Sequence, residues 1–251
     1  MNPLPDAPIE ELIHHVDPEI LIAVAADGRL TEDLALAFLE RRDLPRQALE
    51  QIHKHKSLAR QRKVQLALVM HLHTPRHISV PIIRHLYPFE LMKVALQPTV
   101  AADVKRAAEE VLIAKLATIS SGERFTLAKQ GSGRVAAGLL LDHEARIVRA
   151  ALDNPQMTEL WILKALKAEA GTELLAPALA RHTKWSFRNE VKAALLANKH
   201  TPLARVLQIS QELPIAALKD VLRNARLAPN VKRQLQSALE KRRGKSDREP
   251  G

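Results

Sequence analysis

The sequence predicts an all-α protein built from repeated groups of short helices, and three observations support this fold class. Apolar residues make up 46% of the 251 residues, which is enough for a sizeable core and excludes disorder across the whole chain. Aromatic residues contribute only 3% and glycine occurs 8 times, so a β-sandwich or β-barrel is disfavoured. The third observation is a set of internal repeats with a period of about 42 residues.

Two short patterns recur along the chain at matching intervals. A Thr followed by Pro or Glu recurs at separations of 43, 84 and 43 residues, and a Val followed by polar and small residues recurs at steps of 40, 44, 43 and 40. The first series is Thr31, Thr74, Thr158 and Thr201, with Ser120 and Glu123 near the vacant place, and the second is Val64, Val104, Val148, Val191 and Val231. Each Thr predicts a helix start, because its hydroxyl can accept a hydrogen bond from a free backbone amide.

The repeats define a domain organisation. A shift of 127 residues aligns residues 74–112 with residues 201–239 without a gap, and about 11 of those 39 positions are identical. We therefore expect five units, each with three short helices; in the last unit, prolines predict helices over about 202–211, 214–224 and 229–242. We expect an acidic helical N-terminal cap over residues 1–30, the repeat domain over 31–243 and a disordered tail over 244–251.

One segment carries a resemblance to known repeat families. Leu141 to Leu152, LDHEARIVRAAL, resembles the start of the second helix in HEAT and armadillo repeats, where an Asp precedes Val-Arg and small residues follow. Val148 to Thr158 is similar to the leucine-rich variant repeat, in which a Val-Arg helix ends at Asn-Pro and the next helix begins at Thr. The period is longer here than in the variant repeat, which implies an additional helix. The resemblance implies a right-handed α-solenoid, HEAT/armadillo-like, of about five three-helix units, a fold that binds proteins or nucleic acids and is seldom an enzyme.

Charge is distributed unevenly along the chain. The net charge is +10, but residues 1–50 carry 4 basic and 11 acidic residues, whereas residues 51–251 carry 34 basic and 17 acidic residues. Residues 51–89 contain seven Lys or Arg and six His without any Asp or Glu. Because such a run repels itself unless an anion lies nearby, it predicts a binding surface. Its candidate binding residues are Lys54, Lys56, Arg60, Arg62 and Lys63.

A second candidate surface comes from the Val-headed helices. If these helices stack at about 8–10 Å, the cations that follow each Val form a row within reach of phosphates or of an acidic partner helix. The row consists of Lys105, Arg149, Lys192 and Lys232, joined by Arg62 or Lys63 at its front. The alternative is that each cation pairs with a neighbouring carboxylate, for instance Asp142, Glu144 or Glu190, and both interpretations stay open.

These features predict a non-catalytic binding scaffold that holds an acidic protein segment or a nucleic acid, the latter through its backbone. The scarcity of aromatic rings limits base stacking, so binding to a nucleic acid would be salt-sensitive and weakly selective. One alternative is a HEAT-like DNA glycosylase, in which Asp153 with Trp161 or Trp185 would act on damaged DNA. The other is an assembly element, in which acidic residues 1–50 cover the basic region or pair it with another copy.

Several classes of site have no support in the sequence. The absence of cysteine excludes disulfides, zinc-thiolate sites and iron-sulfur clusters. Histidines occur as i,i+2 pairs such as His53/His55 and His71/His73, without a metal-binding motif, so we expect no metal and no cofactor. Residues 131–134, Gly-Ser-Gly-Arg, predict a turn with close helix packing. Without an apolar stretch of about 20 residues or a signal sequence, we expect a cytoplasmic protein with no membrane partner.

Overall fold

The computed structural model describes residues 7–168, 170–224, 227 and 229–246. Within these residues all regular structure is helical, with 17 α-helices and no β-strand, which confirms the all-α class. The chain divides into two compact units, Met1–Thr118 (unit 1) and Ile119–Gly251 (unit 2). Among the described residues, no helix combines the length and the apolar character needed to span a bilayer.

Unit 1 contains eight helices in its described part. They are α1 (Ile9–Leu12), α2 (Pro18–Ala26), α3 (Glu32–Leu39), α4 (Arg46–Lys54), α5 (Arg62–Met70), α6 (Arg76–Ile83), α7 (Pro88–Leu96) and α8 (Ala102–Lys115). Helices two apart in the chain pack side by side, α2 with α4, α3 with α5, α5 with α7 and α6 with α8. Their contacts bury the side chains of Leu21, Phe38, Leu49, Leu68 and Leu91. Each such side chain contributes at most about 1.5–3 kcal/mol to stability.

Unit 2 contains nine helices in its described part. They are α9 (Ser121–Gln130), α10 (Gly133–Gly138), α11 (Ala145–Leu152), α12 (Glu159–Leu166), α13 (Thr172–Ala180), α14 (Asn189–Ala197), α15 (Leu203–Glu212), α16 (Ile215–Asn224) and α17 (Pro229–Ser246). Its helices form two rows by side-by-side packing: α9, α11 and α13 in one, and α10, α12, α14 and α16 in the other, while α15 packs against α17. The last three helices begin within one residue of the predicted starts. Helix α17 extends into the segment predicted as a tail, of which residues 247–251 lie outside the described residues.

The two units repeat one helix arrangement with an offset of 127 residues. Glu32 begins α3 and Glu159 begins α12, and the same interval separates the starts of α2 and α11, α5 and α14, α6 and α15, α7 and α16, and α8 and α17. The packing repeats as well, since α2–α4, α3–α5, α6–α8 and α7–α8 correspond to α11–α13, α12–α14, α15–α17 and α16–α17. The sequence alignment over residues 74–112 therefore covers only part of a larger structural duplication.

The Val positions occupy similar places in the helices. Val64, Val104 and Val191 are buried third residues of α5, α8 and α14. Val148 is the buried fourth residue of α11, and Val231 is the half-buried third residue of α17. These positions come one turn after the helix begins, where an apolar side chain points onto the neighbouring helix.

The recurring Thr residues do not all cap a helix as expected. Thr31 accepts a hydrogen bond from the Leu34 amide at 3.4 Å, as predicted, whereas Thr158 makes no side-chain capping bond. Thr74 and Thr201 precede their helices by two residues, and each donates its hydroxyl proton to the carbonyl oxygen six residues earlier. The capping prediction was wrong at Thr158 and at these two positions, where the hydroxyl donates to a carbonyl oxygen in the last turn of the preceding helix instead. The capping box of Ser120 and Glu123 is present.

Polar side chains join some helix ends to a helix end about 30 residues earlier. Asn198 Nδ2 donates to the Leu166 carbonyl at 3.1 Å, while its Oδ1 accepts from the His200 amide at 3.0 Å. At the position 127 residues before Asn198, His71 does the same: its Nδ1 accepts from the His73 amide, and its Nε2 lies 2.7 Å from the Arg41 carbonyl oxygen. The Arg41 oxygen can only accept, so Nε2 carries a proton, and the His73 amide can only donate, so Nδ1 carries none. The His71 ring is therefore neutral. Burial lowers the pKa of His71 below its ordinary value, in agreement with this protonation state.

Candidate functional site

Four of the predicted binding residues lie together on the surface of unit 1. Lys54 ends α4, Lys56 and Arg60 lie in the connection that follows, and Lys63 is the second residue of α5. We call these four residues the α4–α5 cationic patch. All four side chains are exposed, and none forms an ion pair with any residue that the structure describes.

Arg62, the fifth residue of that predicted set, is held inside unit 1. Its Nε and Nη2 atoms donate to the two carboxylate oxygens of Glu90 at 2.9 and 2.6 Å, and its guanidinium carbon lies 3.1 Å from the Tyr87 ring centroid. Burial is the largest single influence and would raise the pKa of Glu90, but the hydrogen bonds from Arg62 and the Tyr87 amide, together with the positive charge of Arg62, lower this pKa below its ordinary value. Arg62 therefore fastens α5 to α7, and its charge is already compensated.

The four cations that follow the Val positions occupy different environments. In unit 1, Lys105 is half-buried and its Nζ donates to the Pro98 carbonyl at 3.3 Å. In unit 2, Arg149 on α11 and Lys232 on α17 are exposed. Lys192 on α14 is only 7% exposed, and its Nζ lies 2.7 Å from a carboxylate oxygen of Glu212. Its ammonium group is therefore paired with a carboxylate within unit 2.

The expected single row of cations does not form in unit 2. Arg149 lies on α11 and Lys192 on α14, and these helices belong to different rows of side-by-side packing. The physical reason is a mismatch of periods, since the Val-headed helices recur every third helix whereas each row takes every second helix. The alternative of carboxylate pairing holds for Lys192, although its partner is Glu212 and not one of the acids expected from the sequence.

Among the exposed cations of unit 2 that the sequence pattern did not single out, Arg181 corresponds to a residue of the α4–α5 cationic patch. Arg181 is the residue directly after α13, and the 127-residue offset pairs it with Lys54 at the end of α4. The 127-residue repeat that pairs Arg181 with Lys54 is visible in the sequence, but the aligned residues 74–112 and 201–239 include neither of these two cations.

The residues required for the glycosylase alternative are not assembled. Trp185 is 3% exposed, and its Nε1 donates to the Leu152 carbonyl at 2.9 Å, so the ring is part of the core. Trp161 lies half-buried on α12. The Asp153 carboxylate lies 3.1 Å from His182 Nε2, and neither Trp lines the surface groove that contains Asp153. Among the described residues, Asp153, Trp161 and Trp185 therefore do not line one common pocket of the kind that this alternative requires.

Among the described residues, the side chains that most resemble a metal site are already paired with an arginine. Asp142, His143 and Glu144 bring one ligand atom each within 4.8 Å of one another. However, the buried Arg124 donates through Nε to Asp142 at 2.8 Å and through Nη2 to Glu144 at 2.9 Å. Its guanidinium already compensates both carboxylates and repels a metal ion. Three of the histidines from residues 51–89 likewise have structural partners, since His55 and His71 each contact a carbonyl oxygen just after an earlier helix and His73 contacts the Leu44 carbonyl oxygen in the connection before α4.

The glycine turn at residues 131–134 packs closely, as expected. Ser132 caps α10, and a side chain at Gly133 would collide with the backbone carbonyl of Gln156. The Gly133 amide is also in contact with the Gln156 side chain, whose Oε1 accepts from it at 3.3 Å. Gly133 therefore allows α10 to approach the connection between α11 and α12 closely.

The acidic N-terminal region does not cover the basic patch through ion pairs. Among described residues 7–50, Asp27 pairs with Arg29 and Asp43 with Arg41, both within the acidic region itself. No acidic side chain of residues 7–50 forms an ion pair with a cation of residues 51–89. The form of the assembly alternative in which this region folds back on the same chain thus lacks ion pairs among the described residues.

Comparison of the chain with protein-family models, with curated proteins and with solved structures finds no match in any of the three.

Proposed function

We propose that this protein is a non-catalytic helical-repeat scaffold, a right-handed α-solenoid of HEAT/armadillo type with about five three-helix units, that binds an acidic segment of another protein at the α4–α5 cationic patch. The side-by-side packing of helices two apart, and its repetition in units 1 and 2, supports the solenoid part of the proposal. The binding part rests on the charge of the patch.

The observation that carries the binding proposal is the uncompensated charge of the patch. Lys54, Lys56, Arg60 and Lys63 place four exposed cations within ten residues, and none has an acidic partner among the described residues. By contrast, the adjacent Arg62 has a bidentate carboxylate partner. Such a concentration of like charge raises the energy of the free protein, and an acidic ligand would lower it.

Lys63 is the one residue of the patch that lies on α5, and its position near the start of that helix adds to this cost. Negative charge is favoured at a helix N-terminus, yet the described first turn of α5 contains no Asp or Glu and the helix has no side-chain cap. The counterpart helix α14 carries Glu190 where α5 carries Lys63. Each unfavourable charge costs about 0.3–1 kcal/mol, which a bound carboxylate would offset.

An acidic protein segment fits these features better than a nucleic acid. The patch offers four free cations, whereas proteins that bind nucleic acids through their backbone use about 6–10 phosphate contacts. Arg62 covers one face of the nearby Tyr87 ring, which is 62% exposed, and Trp185 is buried, so Tyr87 offers at most one face to a stacked base and Trp185 offers none. A nucleic acid is the alternative partner that the experiment must distinguish.

Binding measurements on a charge-reversed variant test the proposal. A labelled Glu-rich peptide and labelled DNA and RNA oligonucleotides are titrated with the protein at about 50 and 200 mM salt. In the variant K54E/K56E/R60E/K63E, we expect affinity for the peptide to fall at least about tenfold. The matched control K129E/K167E/R188E/K199E changes four exposed cations of unit 2 and the net charge equally, and should retain most of the affinity.

The outcomes separate the possible partners. Equal losses of peptide affinity in the two variants would show that only net charge matters. This result would overturn the proposal that the α4–α5 cationic patch is the binding site. Tighter binding of an oligonucleotide than of the peptide, lost only on reversal of the patch, would replace the acidic segment by a nucleic acid. Absence of binding to all three probes at low salt would remove the proposed function.

A further inference from the structure

Units 1 and 2 contain corresponding surface grooves between helices that pack side by side. In unit 1 a groove of about 300 Å³ lies between α2 and α4, and Lys54, His55 and Lys56 line it. In unit 2 a groove of about 500 Å³ lies between α11 and α13, with Arg149, Arg181 and His182 among its lining residues. The offset of 127 residues that relates the helices pairs Lys54 with Arg181 and His55 with His182.

The paired histidines play corresponding roles in the two grooves. His55 Nε2 lies 3.0 Å from the Asp27 carbonyl oxygen, which directly follows α2. His182 Nε2 lies 3.1 Å from the carboxylate of Asp153, which directly follows α11. In both units the histidine joins the end of one groove helix to the end of the other, so the preceding cation, Lys54 or Arg181, occupies the same place on the rim.

Charges in the α11–α13 groove leave two cations without an acidic partner. The groove contains two carboxylates, but Asp153 pairs with His182, and Glu173 lies 3.3 Å from His200 Nε2. Arg149 and Arg181 are exposed and form no ion pair with a described residue. The rim of this groove therefore resembles the α4–α5 patch in having exposed cations without an ion-pair partner among the described residues, while its two carboxylates lie beside histidines.

Apolar groups line the α11–α13 groove beneath the arginines. Leu174 is 36% exposed there, and Pro177 and Ala178 continue the apolar surface along α13. An apolar strip beside two guanidinium groups suits a peptide that carries carboxylates on one side and apolar side chains on the other.

We infer that the α11–α13 groove is a second binding groove for an acidic, partly apolar peptide segment, so that one chain binds two such segments, one in each unit. This inference rests on the proposed function of the α4–α5 patch, and it adds the apolar requirement and the second site. A partner with two acidic segments would then bind more tightly than a partner with one, because its second segment binds at a raised effective concentration.

Calorimetric titration of the full chain with a Glu-rich peptide that carries Leu residues at helical spacing tests the inference. The wild type should bind two peptides per chain. The variant R149E/R181E should bind one, as should K54E/K56E/R60E/K63E, and the two sets combined should bind none. The control R188E/K199E reverses two exposed cations of unit 2 outside the groove and should still bind two.

A milder variant guards against loss of folding. R149Q/R181Q removes the charges without reversing them, and its helical circular dichroism should match that of the wild type while its second binding event weakens. Replacing every Leu of the peptide by Ser should weaken binding to K54E/K56E/R60E/K63E, in which only the α11–α13 groove remains.

The possible failures are distinguishable. One peptide per wild-type chain, lost only on reversal of the α4–α5 patch, would overturn the second groove and leave the proposed function intact. One peptide per chain, lost only in R149E/R181E, would remove the proposed site and retain the groove of unit 2. If the wild type and R149E/R181E both bind two peptides, the assignment of Arg149 and Arg181 as binding residues of the α11–α13 groove is overturned.

Discussion

Lys192 Nζ lies 2.7 Å from a carboxylate oxygen of Glu212, and this ion pair joins α14 to the last residue of α15. Arg205 lies 3.9 Å from the other oxygen of the same carboxylate. A cation that the sequence places in a repeated surface position is thus used to hold two helices of unit 2 together.

Removal of Lys192 should destabilise the protein. In Lys192→Ala we expect the free energy of unfolding to fall by about 2 kcal/mol, because a partly buried carboxylate loses its closest partner. Urea unfolding followed by circular dichroism measures this change. Lys199→Ala is the control, since Lys199 is exposed, and should change stability by less than about 0.5 kcal/mol. Similar losses in the two variants would contradict the role assigned to the ion pair.

The same ion pair should make stability depend on acid pH. The hydrogen bond from Lys192 lowers the pKa of Glu212 below its ordinary value of 4.5. A carboxyl group whose pKa is lower in the folded state contributes stability that is fully present above 4.5 and is lost as the pH falls through the lowered value. The difference in unfolding free energy between the wild type and Glu212→Gln should therefore be largest near neutral pH and shrink below pH 4.5. If the difference in unfolding free energy stays constant from neutral pH to below pH 4.5, the Lys192–Glu212 ion pair does not contribute this stability.

His71 should be replaceable by the residue that the other unit uses. Asn198 makes both of the corresponding hydrogen bonds in unit 2, so His71→Asn should retain most of the stability, whereas His71→Ala should lose about 1 kcal/mol or more. Thermal and urea unfolding of the two variants measure the difference. Equal losses in both would show that the hydrogen bonds contribute nothing.

The pH dependence of the His71 variants gives an independent check. Because burial lowers the pKa of His71 from its ordinary 6.5, its contribution to stability is fully present above pH 6.5 and decreases as the pH falls. His71→Asn has no proton to gain at this position. Its stability should therefore fall less than that of the wild type between pH 7 and pH 5, and an identical fall in both proteins would contradict the neutral state.

Two glycines of unit 2 should respond in opposite ways to alanine. A Cβ at Gly133 would collide with the Gln156 carbonyl, so Gly133→Ala should destabilise the protein by about 1–3 kcal/mol. Gly122, within the first turn of α9, has open space around its Cα, and Gly122→Ala should be neutral or stabilising by up to about 1 kcal/mol. Melting temperatures of the two variants give the comparison, and a loss at Gly122 equal to that at Gly133 would contradict the close approach.

Helix positions in the last third of the chain followed closely from local signals in the sequence. Prolines block helix continuation and favour first turns, so Pro214 and Pro229 mark starts that depend on neighbours in the chain alone. The function of Thr74 and Thr201 was less accessible. A hydroxyl before a helix can serve the next helix or the previous one, and the choice depends on how the connection between them folds.

The candidate binding residues were likewise only partly predictable from the sequence. The run of cations from Lys54 to Lys63 was visible as a charge pattern, and four of its members are exposed. That Arg62 bonds to Glu90 could not be read from the sequence, because the two residues lie 28 positions apart and many acids could have competed. The same applies to Lys192 and Glu212, which only the packing of α14 against α15 brings together.

The sequence by itself determined the helical class, the repeated elements and the opposite charges of the two regions, since these depend on residue type and on spacing along the chain. Only the tertiary structure decided which cations remain free for a ligand, and that the duplication relates helices α2 through α8 of unit 1 to helices of unit 2. The reason is physical: ion pairing falls off within a few ångströms, and distances across helices of different rows are set by packing and not by sequence separation.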